Sequence, residues 1–207
     1  MASTAATIYN EVKTEEKLLA FTFDDGPNPE WTPQFLDAFK KVGGKATFYV
    51  LGTNMESYPD IARRIVEEGH ELGNHSYLHP HLPELDRDAQ REELQRAEQL
   101  ITAVTGRRVN TFRPPYLDVN DELLEVAGEF GYAVIHGVNL ASNDWDTPGV
   151  EHILATTREA MRSGSILLFH DGFGDRSQSL EAVTILLEEA VSQGYRIVTV
   201  SELLGLD

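Results

Sequence analysis

The chain contains no cysteine, so neither a disulfide framework nor a thiolate metal site is available. Any bound metal must be held by histidine and carboxylates. Basic residues are scarce as well. Seventeen Lys and Arg stand against 34 Asp and Glu, and the formal charge of −17 repels nucleic acid and anionic lipid while favouring neutral or cationic partners. No apolar run approaches the roughly 20 residues needed to cross a bilayer, so no membrane partner is expected. The first ten residues lack the basic and apolar regions of a signal peptide. Nor does an internal repeat, a low-complexity tract or a Pro/Ser-rich linker divide the 207 residues. The expectation is one domain over residues 16–207 behind a loosely held tail at 1–15.

What is present is a strand–helix rhythm. Apolar runs at Leu18–Phe23, Ala46–Val50, Glu71–Asn74, Thr111–Arg113, Ala133–His136, Ile166–Phe169 and Arg196–Val200 read as strands. Between them, Pro33–Val42, Tyr58–Glu68, Arg87–Val104, Glu122–Phe130, Val150–Met161 and Leu180–Ser192 carry helical periodicity. In the third of these helices, Leu94, Ala97, Ile101 and Val104 form one apolar stripe. Such alternation predicts an α/β fold with a parallel sheet, and seven strands suit a (β/α) barrel slightly better than an open sheet.

Both architectures put active sites at the carboxyl ends of strands, and the polar clusters fall there. The first predicted strand runs into Asp24-Asp25-Gly26-Pro27, two carboxylates that repel one another unless a cation lies beside them. An Asx turn capping the next helix is the simpler reading of that segment alone. After the third strand, His75 and His79 are four apart, and on one helical turn they would share a face toward a single ion. The neighbours His70 and His81 show that histidine is common in this stretch. Arg113, held by Pro114 and Pro115, suits a bidentate grip on a carboxylate. Asp144 stands beside Trp145, and the strand ending in Leu168-Phe169-His170 presents a histidine able to act as an acid if a carboxylate such as Asp144 raises its pKa.

Taken together, Thr22-Phe23-Asp24-Asp25-Gly26, His75-Ser76-Tyr77-Leu78-His79, Arg113-Pro114-Pro115-Tyr116, Asp144-Trp145 and Leu168-Phe169-His170 resemble, in order, the five motifs of the polysaccharide deacetylase family, carbohydrate esterase family 4. The resemblance implies a distorted (β/α) barrel and hydrolysis of acetyl groups on glycans. By position it makes Asp24 the general base, His170 the general acid, Arg113 the partner of Asp24 and Asp144 the partner of His170. It assigns Asp25, His75 and His79 to one divalent cation, with zinc expected and cobalt or nickel as substitutes. The Tyr116 backbone N–H would meet the oxyanion, and Trp145 and Leu168 would wall the acetyl pocket. One position departs: Ala141 stands where the fourth motif usually begins with Asp. The resemblance further implies an extracellular enzyme whose signal peptide is not in this sequence, and a monomer is the expectation. Its expected substrate is chitin or chito-oligosaccharide, with acetylxylan, peptidoglycan and a metal-free glycan-binding domain as rival readings.

Overall fold

A computed structural model of the chain describes residues 5–206. The described residues form eight strands and eight α-helices. In chain order they are β1 (Ile8–Tyr9), β2 (Leu18–Gly26), α1 (Thr32–Val42), β3 (Thr47–Val50), α2 (Gly52–Ser57), α3 (Pro59–Glu67), β4 (Glu71–Asn74), α4 (Arg87–Thr105), β5 (Thr111–Phe112), α5 (Asp121–Phe130), β6 (Ala133–Ile135), α6 (Val150–Ala160), β7 (Ile166–His170), α7 (Ser177–Ser192), β8 (Arg196–Ile197) and α8 (Val200–Leu204). The sheet runs β1-β6-β5-β4-β3-β2-β7, with β8 beside the start of β2, and every strand pair in it is parallel. The expected distorted barrel is therefore present, curled from seven strands with β8 off the path. No helix among the described residues is long and apolar enough to cross a membrane.

The distortion has a local cause. Between β6 and β7 no regular ladder forms, and the seam is joined by Val138 N–H donating to Ile166 O (3.0 Å) and by the Asn139 side chain. That amide accepts from Leu168 N–H (2.7 Å) and donates to Leu168 O (3.0 Å), standing in for a missing strand residue.

Period-two alternation sorts the side chains. Leu19, Phe21 and Phe23 of β2 point outward into the large core beneath the helices, together with Phe48, Val134, Leu167 and Phe169. Ala20, Tyr49, Ile135 and Ile166 make a smaller cluster inside the barrel. Thr22 and Asp24 share the parity of Ala20, which brings Asp24 to the carboxyl end of the barrel interior.

Four sequence expectations change. The part of the tail at residues 1–4 lies outside the described residues, but Ile8–Tyr9 is an edge strand on β6 and Val12 N–H bonds Gly164 O, so the tail is stitched to the sheet. A two-residue strand is too short to show alternation. The strand expected to reach Val200 stops at Ile197, because Thr199 caps α8 by accepting from Glu202 N–H (3.1 Å). Helix α2 was hidden by its shortness. Finally, His75 and His79 do not lie on a helix; their loop turns through left-handed residues at Ser76 (φ 70°) and His79 (φ 65°).

Candidate active site

The two adjacent aspartates meet at one site because β2 is bulged. Asp24 pairs with Tyr49 and Gly26 with Val50, leaving Asp25 as an extra residue at φ 73°. In a regular strand neighbouring side chains point to opposite faces, and a bulge removes that constraint. Asp25 Oδ1 lies 3.5 Å from His75 Nε2 and 3.3 Å from His79 Nε2. One ligand atom from each of the three residues falls within 4.8 Å of the others.

Supports fix each member. His75 Nδ1–H donates to Arg113 O (2.6 Å), which leaves the Nε2 lone pair facing Asp25. His79 N–H donates to Ser76 Oγ (3.0 Å). Buried Glu93 of α4 accepts from both Tyr77 N–H (3.0 Å) and Leu78 N–H (2.8 Å), which pins the loop between the two histidines. Asn54 holds the Asp25 carbonyl (2.7 Å).

Asp25 Oδ1 is buried and accepts no hydrogen bond. A buried carboxylate oxygen without a donor is costly, and one oxygen with two imidazole nitrogens is a donor set that suits zinc with a coordination position left open. The residues therefore fit a divalent cation. Burial opposes the Asp25 charge, yet the surrounding imidazoles, His75 first and then His170 and His79, hold this carboxyl down at about 2. For His79 burial and the neighbouring His75 depress the imidazole, keeping it in the neutral form a ligand needs.

On one side of this cluster, Asp24 Oδ1 accepts from Arg113 Nη1 (2.8 Å). Arg113 is fully buried and spends its other donors on Thr22 Oγ1 (2.7 Å), Ile135 O (3.1 Å) and His136 O (2.7 Å), with its guanidinium 4.3 Å above the Tyr49 ring. The expected bidentate grip is thus a single contact, because the remaining donors close the barrel interior.

On the other side, His170 Nδ1–H donates to Asp144 Oδ1 (2.8 Å) while His170 N–H and Ser179 Oγ–H both donate to Oδ2 (2.9 and 2.8 Å). Burial alone would depress the imidazole, but the charge and hydrogen bond of Asp144, with Asp24 and Asp25 behind them, push it up to about 9.

Above these groups lies a groove of about 830 Å³. Leu78, Tyr116, Leu140, Trp145 and Phe173 line it and remain roughly half exposed, whereas Leu168 is buried in its wall. Tyr116 adopts φ 59°, and its ring sits 4.6 Å from that of His79 and stacks on His81 at 3.9 Å. Backbone bonds of that loop run from Leu117 to Pro114 O (3.0 Å) and from Asp118 to Pro115 O (3.2 Å), not from Tyr116 N–H.

Comparison with known proteins decides the family. The polysaccharide deacetylase family model matches residues 11–135. A peptidoglycan-N-acetylglucosamine deacetylase of Bacillus cereus is 37% identical over 195 residues, covering 94% of this chain and 91% of that protein. The chain belongs to the polysaccharide deacetylase family. A chitooligosaccharide deacetylase of a Bradyrhizobium species is 32% identical over 188 residues, with 85% of each chain covered. Among solved structures, the Bc1960 peptidoglycan N-acetylglucosamine deacetylase superposes with TM-score 0.90 at 30% identity, covering 96% of this chain and 92% of that one. The family also includes a Bacillus anthracis pseudoenzyme with the same fold.

For this deacetylase-family chain, every site residue singled out from sequence lies at or beside the groove: Asp24, Asp25, His75, His79, Tyr116, Asp144, Trp145, Leu168 and His170 line it, and Arg113 sits beneath. Sequence reasoning missed Glu93, Arg176 and Ser179. Glu93 left a trace, since an acid occupies the buried face of α4 beside Gln90 and Leu94. The extra histidines separate cleanly. His70 is a core residue between Phe39 and Phe48, accepting Ala46 N–H at 3.0 Å, and burial pulls its pKa down to about 4.

Proposed function

We propose that this protein is a metal-dependent N-deacetylase that removes acetyl groups from N-acetylglucosamine units of a β-linked glycan, releasing acetate. The observation that carries the reading is the Asp25–His75–His79 cluster flanked by two polar pairs, Asp24–Arg113 and Asp144–His170, in one groove. An amide is a poor electrophile with a poor leaving group, so its hydrolysis needs an activated water, charge stabilisation and a proton donor. Asp25, His75 and His79 would hold a divalent cation, zinc by donor type, which would supply Lewis acidity toward the acetyl carbonyl and toward a water.

The chain's own residues supply the rest. Asp24, oriented by Arg113, accepts the proton of the attacking water. The Tyr116 N–H donates to the developing oxyanion. His170 is protonated at neutral pH and delivers its Nε2 proton to the departing nitrogen, while Asp144 keeps the ring oriented through Nδ1. Trp145 offers an aromatic face to a sugar ring, and Leu168 closes the acetyl pocket.

Chitin or chito-oligosaccharide is the polymer we assign. A groove with exposed apolar rims suits an extended chain, and the net charge of −17 attracts the ammonium groups that deacetylation creates. The chitooligosaccharide deacetylase relative supports this choice. Peptidoglycan is the second reading, favoured by the 37% identical relative, and it involves the same N-acetylglucosamine chemistry. Acetate release from N-acetylglucosamine oligomers, peptidoglycan and acetylxylan at equal acetyl concentration, with and without chelator, tests both. Chelator-sensitive release from the oligomers is expected to be fastest. Fastest release from peptidoglycan transfers the assignment to the second reading, and no release from any substrate returns the protein to a glycan-binding role.

A further inference from the structure

Arg176, Gln178 and Ser179, at the start of α7, supply no group to the reaction just described, yet they bond to both segments that carry the exposed aromatics of the groove, and Arg176 itself borders the groove. Arg176, immediately before the helix, is 5% exposed and makes no ion pair among the described residues. A buried guanidinium without a carboxylate must satisfy its donors on carbonyls. Its Nε–H donates to Gly172 O (2.8 Å) and its Nη1–H to Trp145 O (3.0 Å). These two carbonyls belong to different loops: Gly172 precedes Phe173 after β7, and Trp145 belongs to the single turn Asp144–Asp146. One planar fork thus ties together the two segments that carry the exposed aromatics Trp145 and Phe173. Phe173 itself is held at φ 49°, a conformation a bulky residue adopts only when its surroundings impose it.

Three residues further on, Ser179 is fully buried and donates to Asp144 Oδ2 (2.8 Å). Between them, Gln178 Oε1 accepts from Gly149 N–H (2.7 Å), closing the far end of the same segment. Arg176 at the N-cap and Ser179 in the first turn grip the backbone of Trp145 and the side chain of Asp144 from the same end of α7.

We propose that Arg176 and Ser179 are positioning residues with separate duties: Arg176 sets the spacing of the aromatic walls that bind the glycan, and Ser179 sets the orientation of Asp144 and through it the His170 acid. The division follows from what each touches. Arg176 bonds only main-chain carbonyls of the wall, so its loss affects how tightly sugar is held. Ser179 bonds the carboxylate that orients His170 at 2.8 Å and reaches the Asp144 carbonyl only at 3.5 Å, so its loss falls chiefly on the proton transfer. The duties assume the deacetylase reading above.

Two measurements test this. In steady-state deacetylation of N-acetylglucosamine oligomers, Arg176→Lys should raise KM about tenfold with kcat within threefold of wild type, as expected for loss of one charge-assisted bond. One ammonium cannot span both carbonyls. Ser179→Ala should lower kcat about tenfold with KM unchanged, and Ser179→Thr, which keeps the hydroxyl, should restore most of it. The second measurement needs no turnover, and so separates failure of this inference from failure of the deacetylase reading. In a Trp31→Phe background Trp145 is the only tryptophan, and acrylamide should quench its fluorescence at least about twofold more strongly in Arg176→Gln than with Arg176 intact, as expected for a wall freed of its tether. Ser179→Ala should leave the quenching as it was. Unchanged quenching in Arg176→Gln overturns the role of Arg176. Parallel loss of kcat in Ser179→Ala and Ser179→Thr overturns that of Ser179, since a merely structural site has no reason to need the hydroxyl.

Discussion

Replacing Arg113 with Met tests the packing of the site more severely than replacing any ligand. Arg113 is 0% exposed and donates to Thr22 Oγ1, Asp24 Oδ1, Ile135 O and His136 O while stacking on Tyr49. Methionine fills much of the same volume but leaves two carbonyls without this donor and Asp24 without its cation. Breaking a buried ion pair from one side costs about 3–5 kcal/mol, because the surviving charge remains in low dielectric. For a domain of this length each kcal/mol moves Tm by about 2–4 °C, so a fall of roughly 6–20 °C is expected. Urea titration and calorimetry of Arg113→Met, Asp24→Asn and the double variant check the argument. Asp24→Asn removes the stranded charge, so the double variant should be less unstable than the sum of the two by about 1–3 kcal/mol. A loss below about 1 kcal/mol for Arg113→Met, or strict additivity in the cycle, would refute the claim that the pair acts as a buried unit.

His79→Ala should remove stoichiometric binding of zinc or cobalt, read by elemental analysis and by titration calorimetry; one equivalent of metal retained in that variant strikes His79 from the ligand set. Asp24→Asn should keep the metal yet lose at least about a hundredfold in turnover, as is usual when a general base is removed, and near-normal acetate release would sink its role. The pH–rate profile tests His170. Its proton must be present for transfer, so activity is expected below its pKa and is lost as pH rises through a value raised toward about 9. Asp144→Asn removes the charge that raises it, so this alkaline limb should move to lower pH, and an unmoved limb means that Asp144 does not govern the acid.

Much of this site was legible because its elements are local. Each strand-end cluster is a few residues long, and alternation with helices told where the clusters would converge. The loop between His75 and His79 misled for the same reason: spacing of four suggests a helical turn, whereas left-handed residues at Ser76 and His79 achieve the convergence instead. The supports were least visible. Ser179 lies 35 positions from Asp144, Glu93 lies 15 and 16 from the amides it accepts, and Arg113 lies 91 from Thr22. Such partners are chosen by tertiary packing; nothing in the local pattern of Ser-Gln-Ser names Ser179, and the acid on the buried face of α4 marks Glu93 without naming the amides it accepts. The signal for α8 was present in Thr199-Val-Ser-Glu202, a threonine followed three residues later by glutamate, but the apolar run through Val198 and Val200 masks it.

Asp25 shows why the site depends on the barrel as much as on the motif. An aspartate at φ 73° lies in a region that costs an ordinary residue about 1–2 kcal/mol, and its buried Oδ1 has no donor. The surroundings impose this. Gly26 and Gly172 have no room for a Cβ, the first because of the Asp171 carboxylate and the second because of the Asp25 carbonyl. Asp171 N–H and Gly172 N–H both donate to Asp24 O (3.1 and 3.2 Å), so the ends of β2 and β7 interlock over a few ångströms. Asp171 adds a further cost: it is fully buried, and burial, partly offset by the Thr32 hydroxyl and reinforced by Asp25 and Asp24, pushes its carboxyl up to about 7. Strain and unpaired charge are thus gathered at one strand end, and the large apolar core beneath the helices carries that burden. Asp25, His75 and His79 would hold a cation that offsets the acidic charge gathered here and the lack of a donor at Asp25. Metal binding at this point would then be coupled to folding, with the loaded barrel expected to be the more stable one.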